Sequence, residues 1–310
     1  MRIGLFARRA LSFGADDDGP LALDDVIAEA RQVEAAGLAS YWLPQQVDVD
    51  ALTLAGVLGR EVPRIEIGTA VVPMQTRFPL HMAQAALTAQ ALSGGRFTLG
   101  IGVEHDWVVR DMWGLPFDRP VAELAEYVEV VTALLTTGKA RFGGEFFTVD
   151  SFLARFRPAP ETQVLLGALG PRMLRLAGTK AHGTSTWLAG IATVRDHVVP
   201  TITRAAEEAG RPRPRVLVLL PVAVTDDVAS ARRRIDEAFD LYLRMPSYRA
   251  VLGRQRAERP SDVALVGPAA EVADQLAALA DAGATDVGAI VFADTPAAHD
   301  ATWEVLTGPH

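Results

Sequence analysis

Strand-length apolar runs alternate with amphipathic helical stretches along the whole chain, and few folds accommodate that alternation. The runs occupy residues 3–6, 41–43, 65–72, 97–101, 164–167, 182–187, 216–224 and 287–292. Strands separated by helices argue for βα units on a parallel sheet. Eight such units in 310 residues, with no linker to break the series, predict an α/β fold. The specific expectation is a (β/α)8 TIM barrel forming one domain over 1–310, with insertions around 104–119, 141–160 and 241–262. The helices carry their own punctuation. Asp24 and Asp25 read as a capping pair, Val26, Ile27, Ala30 and Val33 share one face, and Gly37 is a stop. Leu80, Ala83, Leu87 and Ala91 form a stripe at helical spacing, Pro120 opens a helix to 135, and Asp226 reads as an N-cap. Residues 142–147 look like a small hairpin, and 241–262 is polar with little periodicity, which reads as a mobile insertion.

Composition narrows the chemistry. With 49% hydrophobic and 22% charged residues the chain can bury a large core. Six histidines and no cysteine remove thiol catalysis, disulfides and zinc thiolate sites, and no metal site is expected. A formal net charge of -8 disfavours nucleic acid as a partner, because phosphate binding rests on Lys and Arg. The run Arg232, Arg233, Arg234 reads as a solvated helix face. No apolar run reaches the roughly 20 residues a membrane span needs, and the first six residues read as a strand rather than a signal peptide. A cytoplasmic protein with no membrane partner is the expectation. The only lysines are Lys139 and Lys180, neither at a strand's carboxyl end, which disfavours Schiff-base chemistry.

Barrel chemistry gathers at the carboxyl ends of the strands. Three such ends are informative. The segment 65–73 runs through Gly68, Thr69, Ala70 and Val71 into Arg77-Phe78-Pro79; it reads either as a cofactor-facing turn or as an ordinary strand end with Val71 and Val72 in the core. Gly167-Ala168-Leu169-Gly170-Pro171-Arg172 is a strand, a glycine turn and a helix start, where backbone amides, the helix dipole and Arg172 together suit a phosphate. A Gly-Pro helix start without phosphate is also common. After Gly100 and Gly102 come Val103, Glu104 and His105. The two ionisable groups are candidate acid or base, since histidine titrates near neutrality and a desolvated glutamate can be raised toward it. Trp107, Met112, Trp113 and Phe117 follow on the same loop, suited to covering an apolar substrate or to packing the loop itself.

The segment 65–73, together with Gly94 to Gly102 and residues 164–187, resembles the luciferase-like family of flavin and deazaflavin oxidoreductases. The similarity spans nearly the whole chain and is strongest over 42–102 and 164–187. It is closest to the deazaflavin branch. What the resemblance implies is an enzyme that moves a hydride between coenzyme F-420, a deazaflavin, and a small organic substrate, as a homodimer. The alternatives are an FMN-dependent monooxygenase and a non-catalytic flavin-binding barrel. The family pattern further implies a non-prolyl cis peptide at Ala70-Val71. It places Gln45, Gly68, Thr69, Ala70, Val71, Gly102, Val103, Gly167, Ala168, Leu169, Gly170, Pro171 and Arg172 against the cofactor. One departure stands out: after Trp42-Leu43-Pro44-Gln45, many relatives carry a histidine where this chain has Gln46. Glutamine transfers no proton at neutral pH but can hydrogen-bond a ring carbonyl. The catalytic candidates are therefore His105, Glu104 and Gln46.

Overall fold

The computed structural model describes residues 1–11, 22–154 and 160–308. Eight parallel strands among them close on themselves: β1 (Arg2–Phe6), β2 (Ser40–Leu43), β3 (Glu66–Thr69), β4 (Phe97–Gly102), β5 (Gln163–Gly167), β6 (Gly183–Trp187), β7 (Arg215–Val224) and β8 (Asp286–Val291). Each pairs with the next, and β8 pairs back onto β1 with Ile3 opposite Val287. The predicted (β/α)8 barrel is the observed one. β3 is interrupted after Thr69; the chain re-pairs as Val72–Pro73, opposite Ile101 and Gly102 of β4. Leu265–Gly267 adds a short strand at the carboxyl end of β7.

Helices clothe the barrel and bury their apolar faces on the outer surface of the strands. α1 (Leu23–Ala35) buries Val26, Ala30 and Val33 of the predicted face, whereas Ile27 is only partly buried at its edge. Asp24 and Asp25 are not its cap: Ala22 is the N-cap residue, and the two acids lie in the first turn, where the helix dipole favours them. α2 (Ala51–Glu61) is capped by Asp50, which accepts from Thr53 N at 2.8 Å. In α3 (Pro79–Leu92) Ala91 is exposed, and the buried stripe runs through Met82, Ala83, Ala86, Leu87 and Gln90. Both neighbours, α2 and α4 (Pro120–Thr137), press on α3, so its inner face is wider than one stripe. The cap of the helix Val228–Phe239 is Asp227 rather than Asp226.

The inserted segment after α4 forms an antiparallel pair, Lys139–Gly143 with Thr148–Phe152. Glu126 of α4 holds its turn by accepting from the backbone N–H of Glu145, Phe146 and Phe147. Residues 155–159 of the same expected insertion lie outside the described residues. Segment 241–262 departs from expectation. It folds into a 3-10 turn (Asp240–Arg244) and a helix (Pro246–Gly253) packed on each other, with Met245, Val251 and Leu252 buried. No helix of the described residues is long and apolar enough to cross a membrane.

The amino-terminal end of the barrel is closed by charge. Arg215 donates to Asp286 Oδ1 at 2.7 Å, to Glu66 Oε1 at 3.0 Å and to Gln163 Oε1 at 2.8 Å, and Arg2 joins both carboxylates. Above this plug Trp42 fills the lumen, its Nε1–H donating to Ser40 Oγ at 2.8 Å. Gly68 is what admits the indole, since a Cβ there would run into the Trp42 ring.

Arg96 closes the carboxyl end of α2 from the adjoining turn, donating to the carbonyls of Gly59 (3.0 Å), Val62 (2.8 Å) and Ile65. Hydrogen bonds from a charged donor contribute about 1.5–3 kcal/mol each and do not sum fully when they share one side chain. Arg96→Leu is expected to destabilise the fold by about 2–4 kcal/mol, read as a lower urea midpoint with an unchanged m-value.

Candidate active site

At the carboxyl ends of the strands the barrel opens into a cavity of about 560 Å³. This volume lies within the ~300–1,000 Å³ range of small-molecule sites. Its inner wall comes from β3, β4 and β5. The Ala70-Val71 peptide bond is cis, and the chain bulges there into the cavity before Met74 N donates to Gly102 O at 3.0 Å. Val71 lies over two glycines: a Cβ on Gly102 would collide with its Cγ2, and one on Gly167 would stand 3.2 Å from the same atom. Ala168 and Gly170 continue the wall, so it carries small groups from Val71 to the start of α5 (Pro171–Lys180). Such a surface suits the face of a flat ring.

The cover comes from two loops. After β4 the chain presents Glu104 and His105 and then Trp107, Met112, Trp113 and Phe117. The second loop is the folded segment 240–248, which brings Leu241, Tyr242, Met245 and Tyr248. The loops meet through aromatic edges: His105 lies 5.7 Å from the Tyr248 ring and 6.5 Å from the Tyr242 ring, and the two tyrosines are 4.7 Å apart. Below them Trp187 packs edge-on or tilted against Tyr242 and Phe239 and stacks on Phe6.

The ionisable groups are held in place. His105 N donates to Glu104 Oε1 at 2.9 Å, and the His105 Nε2 lies 3.8 Å from the same carboxylate. Burial lowers the His105 pKa below its ordinary value, with Glu104 acting in opposition, so the ring is neutral at neutral pH. Burial raises the Tyr242 hydroxyl, and the Glu104 charge raises it further, while a hydrogen bond from Gln46 pulls the other way. Tyr248 is raised for the same first reason, burial, with Tyr242 and Glu104 adding to it. Both phenols therefore keep their protons and can donate them in hydrogen bonds.

Of the residues picked out from sequence, Gln45, Gln46, Ala70, Val71, Gly102, Val103, Glu104, His105, Gly167, Ala168, Leu169 and Gly170 line this one cavity. Gly68, Thr69, Pro171 and Arg172 do not. Gly68 accommodates Trp42, as above. Thr69 is fully buried behind the bulge, where its hydroxyl donates to Gly100 O and accepts from Gly100 N. Pro171 and Arg172 are exposed at the start of α5. Gln45 is partly committed elsewhere, its carbonyl accepting from Ala51 N at 3.3 Å and from Arg77 at 3.5 Å. The turn 167–170 is braced from behind by His197, whose Nε2–H donates to Leu169 O at 3.0 Å. Gly170 faces open space, and its φ of -86° suits any residue. Gly170→Trp is therefore expected to fold normally and to fill the cavity's edge, weakening the binding of a phosphorylated ring cofactor tenfold or more by fluorescence titration, about 1.4 kcal/mol for each factor of ten.

Sequence reasoning missed Phe6, Ser185, Trp187, Tyr242, Met245 and Tyr248. Ser185 and Trp187 had a signal, since alternate residues of a strand share a face and both sit at the carboxyl end of β6. The tyrosines had almost none, beyond two of the chain's four falling in one aperiodic stretch.

Comparison with known proteins supports the same grouping. A family model described as luciferase-like monooxygenase matches residues 1–286. An F-420-dependent glucose-6-phosphate dehydrogenase of Nakamurella multipartita is 28% identical over 236 residues, covering 73% of this chain and 69% of that protein. Among solved structures, an F-420-dependent secondary alcohol dehydrogenase in complex with an F-420-acetone adduct superposes with a TM-score of 0.80 at 18% identity, over 99% of this chain and 97% of the other. The oxygenating constituent of a 3,6-diketocamphane monooxygenase of Pseudomonas putida, in complex with FMN, gives 0.78 at 17% identity, with the same shares covered. These two likenesses concern the fold. With a bulged β3, a cavity at the carboxyl ends of the strands and a family match over residues 1–286, the chain belongs to the luciferase-like monooxygenase family.

Proposed function

We propose that this protein is an oxidoreductase that binds coenzyme F-420 and moves a hydride between it and a small organic substrate. The observation that carries the reading is the juxtaposition of a small-residue wall, Val71 over Gly102 and Gly167 with Ala168 beside them, and a proton-handling cluster of His105, Glu104, Tyr242 and Gln46 in the same cavity. The small groups of this wall leave room for the face of a planar ring. Backbone amides at the start of α5, with Arg172 close by in sequence, suit its phosphate. When bound, the deazaflavin supplies a ring carbon that accepts or donates a hydride.

The chain's own residues supply position and a proton path. His105, neutral and desolvated, takes the proton of a substrate hydroxyl at a ring nitrogen or, once protonated, returns it to a carbonyl oxygen. Glu104 stabilises the imidazolium that forms. Tyr242, hydrogen-bonded to Gln46, presents a second donor to the same substrate oxygen. This arrangement explains how a chain with Gln46 in place of a histidine still handles a proton: the acid-base role passes to His105, and Gln46 orients a phenol. Trp107, Met112, Trp113 and Phe117 exclude water from the reacting groups.

The test is a pair of titrations of the purified protein, one with oxidised and reduced coenzyme F-420 and one with FMN, followed by fluorescence quenching. Tight binding of the deazaflavin with weak binding of FMN supports the proposal. Preference for FMN would move the protein to oxygen-dependent chemistry, and binding of neither would remove the cofactor assignment.

A further inference from the structure

The turn between β5 and α5 owes its shape to a residue that lies outside the cavity. The N–H groups of Leu169 and Gly170 meet no acceptor among the described residues, and those of Arg172 and Met173, in the first turn of α5, have none by helix geometry. Four donors in so short a stretch suit an anion only while they point the same way. Pro171 has its φ set by its ring, so the peptide most free to turn is the one joining Leu169 to Gly170. It belongs to neither β5 nor α5, and no ladder or helix bond fixes its plane.

His197 fixes that plane, through the 3.0 Å hydrogen bond from its Nε2–H to Leu169 O. In a trans peptide the C=O and N–H point in opposite directions, so a carbonyl turned toward His197 turns the Gly170 N–H away from it. Leu169 and Gly170 line the cavity and His197 does not, which puts that N–H on the cavity side. Burial lowers the His197 pKa, against the pull of the Leu169 hydrogen bond, so at neutral pH the ring is neutral and its proton sits on Nε2. The imidazole is itself built in. It belongs to a π turn, Val194–Val198, closed by Val199 N–H donating to Val194 O. Such turns are rare and occur often at functional sites. Just before it, Thr193 N donates to Gln255 Oε1 at 3.2 Å and Thr193 Oγ1 to Val251 O at 3.4 Å, and Gly190 leaves the space that the Gln255 amide fills. Just after it, the helix Val199–Glu208 packs along α5.

We propose, resting on the cofactor reading above, that His197 is a positioning residue for the phosphate of the bound cofactor. It touches neither cofactor nor substrate and acts through the Leu169-Gly170 peptide, keeping the amides of residues 169, 170, 172 and 173 turned toward one anion. Without its hydrogen bond the peptide is free to rotate, and the Leu169 carbonyl, rather than an N–H, then faces the phosphate for part of the time. The ring of the cofactor, which lies against Val71, Gly102 and Gly167, does not depend on that peptide.

The test separates phosphate from ring. The unaltered protein, His197→Leu and His197→Gln would be titrated by fluorescence quenching with coenzyme F-420 and with the phosphate-free deazariboflavin that carries the same ring, and in parallel with FMN and riboflavin. In His197→Leu the affinity for the phosphorylated member of a pair should fall about three- to tenfold, as expected for one hydrogen bond, while the phosphate-free member changes by less than about twofold. His197→Gln, whose amide N–H can reach the same carbonyl, should restore the phosphorylated member. His197 is only partly buried, so both variants are expected to fold, and a thermal melt checks this. Equal weakening of both members of a pair would make His197 a structural brace alone and overturn the proposal. So would unchanged affinity for the phosphorylated member in His197→Leu, or a glutamine variant no better than the leucine one. The cofactor reading fails on a different result. Preference for FMN removes the F-420 assignment while the FMN and riboflavin pair still decides the role of His197, and binding of none of the four ligands overturns both.

Discussion

Replacing His105 with glutamine is expected to lower kcat by about 10²–10⁴-fold, the usual contribution of a positioned acid or base, while cofactor affinity changes little. Glutamine keeps a hydrogen-bonding end of similar reach but exchanges no proton. The pH profile gives a sharper check. Burial sets the His105 pKa below 6.5, and the groups that face the ring are the Glu104 carboxylate and the neutral phenols of Tyr242 and Tyr248. In the oxidative direction the neutral imidazole is the active form. Activity should therefore be flat through neutrality and fall on the acid side, with a midpoint under 6.5. In His105→Gln that acid limb should vanish along with most of the rate. A variant that keeps both full rate and an unaltered limb would show that His105 only packs between the loops. Because its ring braces Tyr242 and Tyr248, a thermal melt of the same variant separates loss of chemistry from loss of structure.

The second large effect concerns stability, at the opposite end of the barrel. Asp286 is 1% exposed and takes the Arg215 guanidinium through two donors, at 2.7 and 3.3 Å, with Thr285 Oγ1 donating at 2.6 Å. Arg215 is itself mostly buried, so Asp286→Ala would leave it with Glu66 as its one close carboxylate. Breaking a buried pair on one side costs about 3–5 kcal/mol, because the remaining charge stays desolvated. A urea midpoint shift of that size is expected, with catalysis of the folded fraction unaffected, since the plug lies at the end of the barrel away from the cavity. A shift below about 1 kcal/mol, the range of exposed pairs, would mean that water reaches Arg215 readily. Replacing Arg215 and Asp286 together by apolar residues should recover much of the loss.

The barrel itself was legible from the alternation of strand and helix patterns, because parallel strands buried on both faces leave continuous apolar runs and their helices leave one-sided stripes. Three of its strand ends, at Val71, Gly102 and Gly167, were also found from sequence and do converge on one cavity. Glycine can stand where it does for several reasons, however, and only packing separates them. Gly102 and Gly167 lie under Val71, whereas Gly68 makes room for Trp42 inside the lumen. Thr69 has the right address in the chain, but its hydroxyl is used up on Gly100.

Local pattern alone thus determined the eight barrel strands, their order and the end of the barrel where chemistry collects, since each of these depends on residues close in the chain. The tertiary structure decided which side chains share the cavity. Tyr242 and Tyr248 reach His105 across more than 130 positions of sequence, on a segment whose polarity and lack of period hid its fold. That contact exists because the buried Met245, Val251 and Leu252 hold the segment down, a long-range packing event with no local signature.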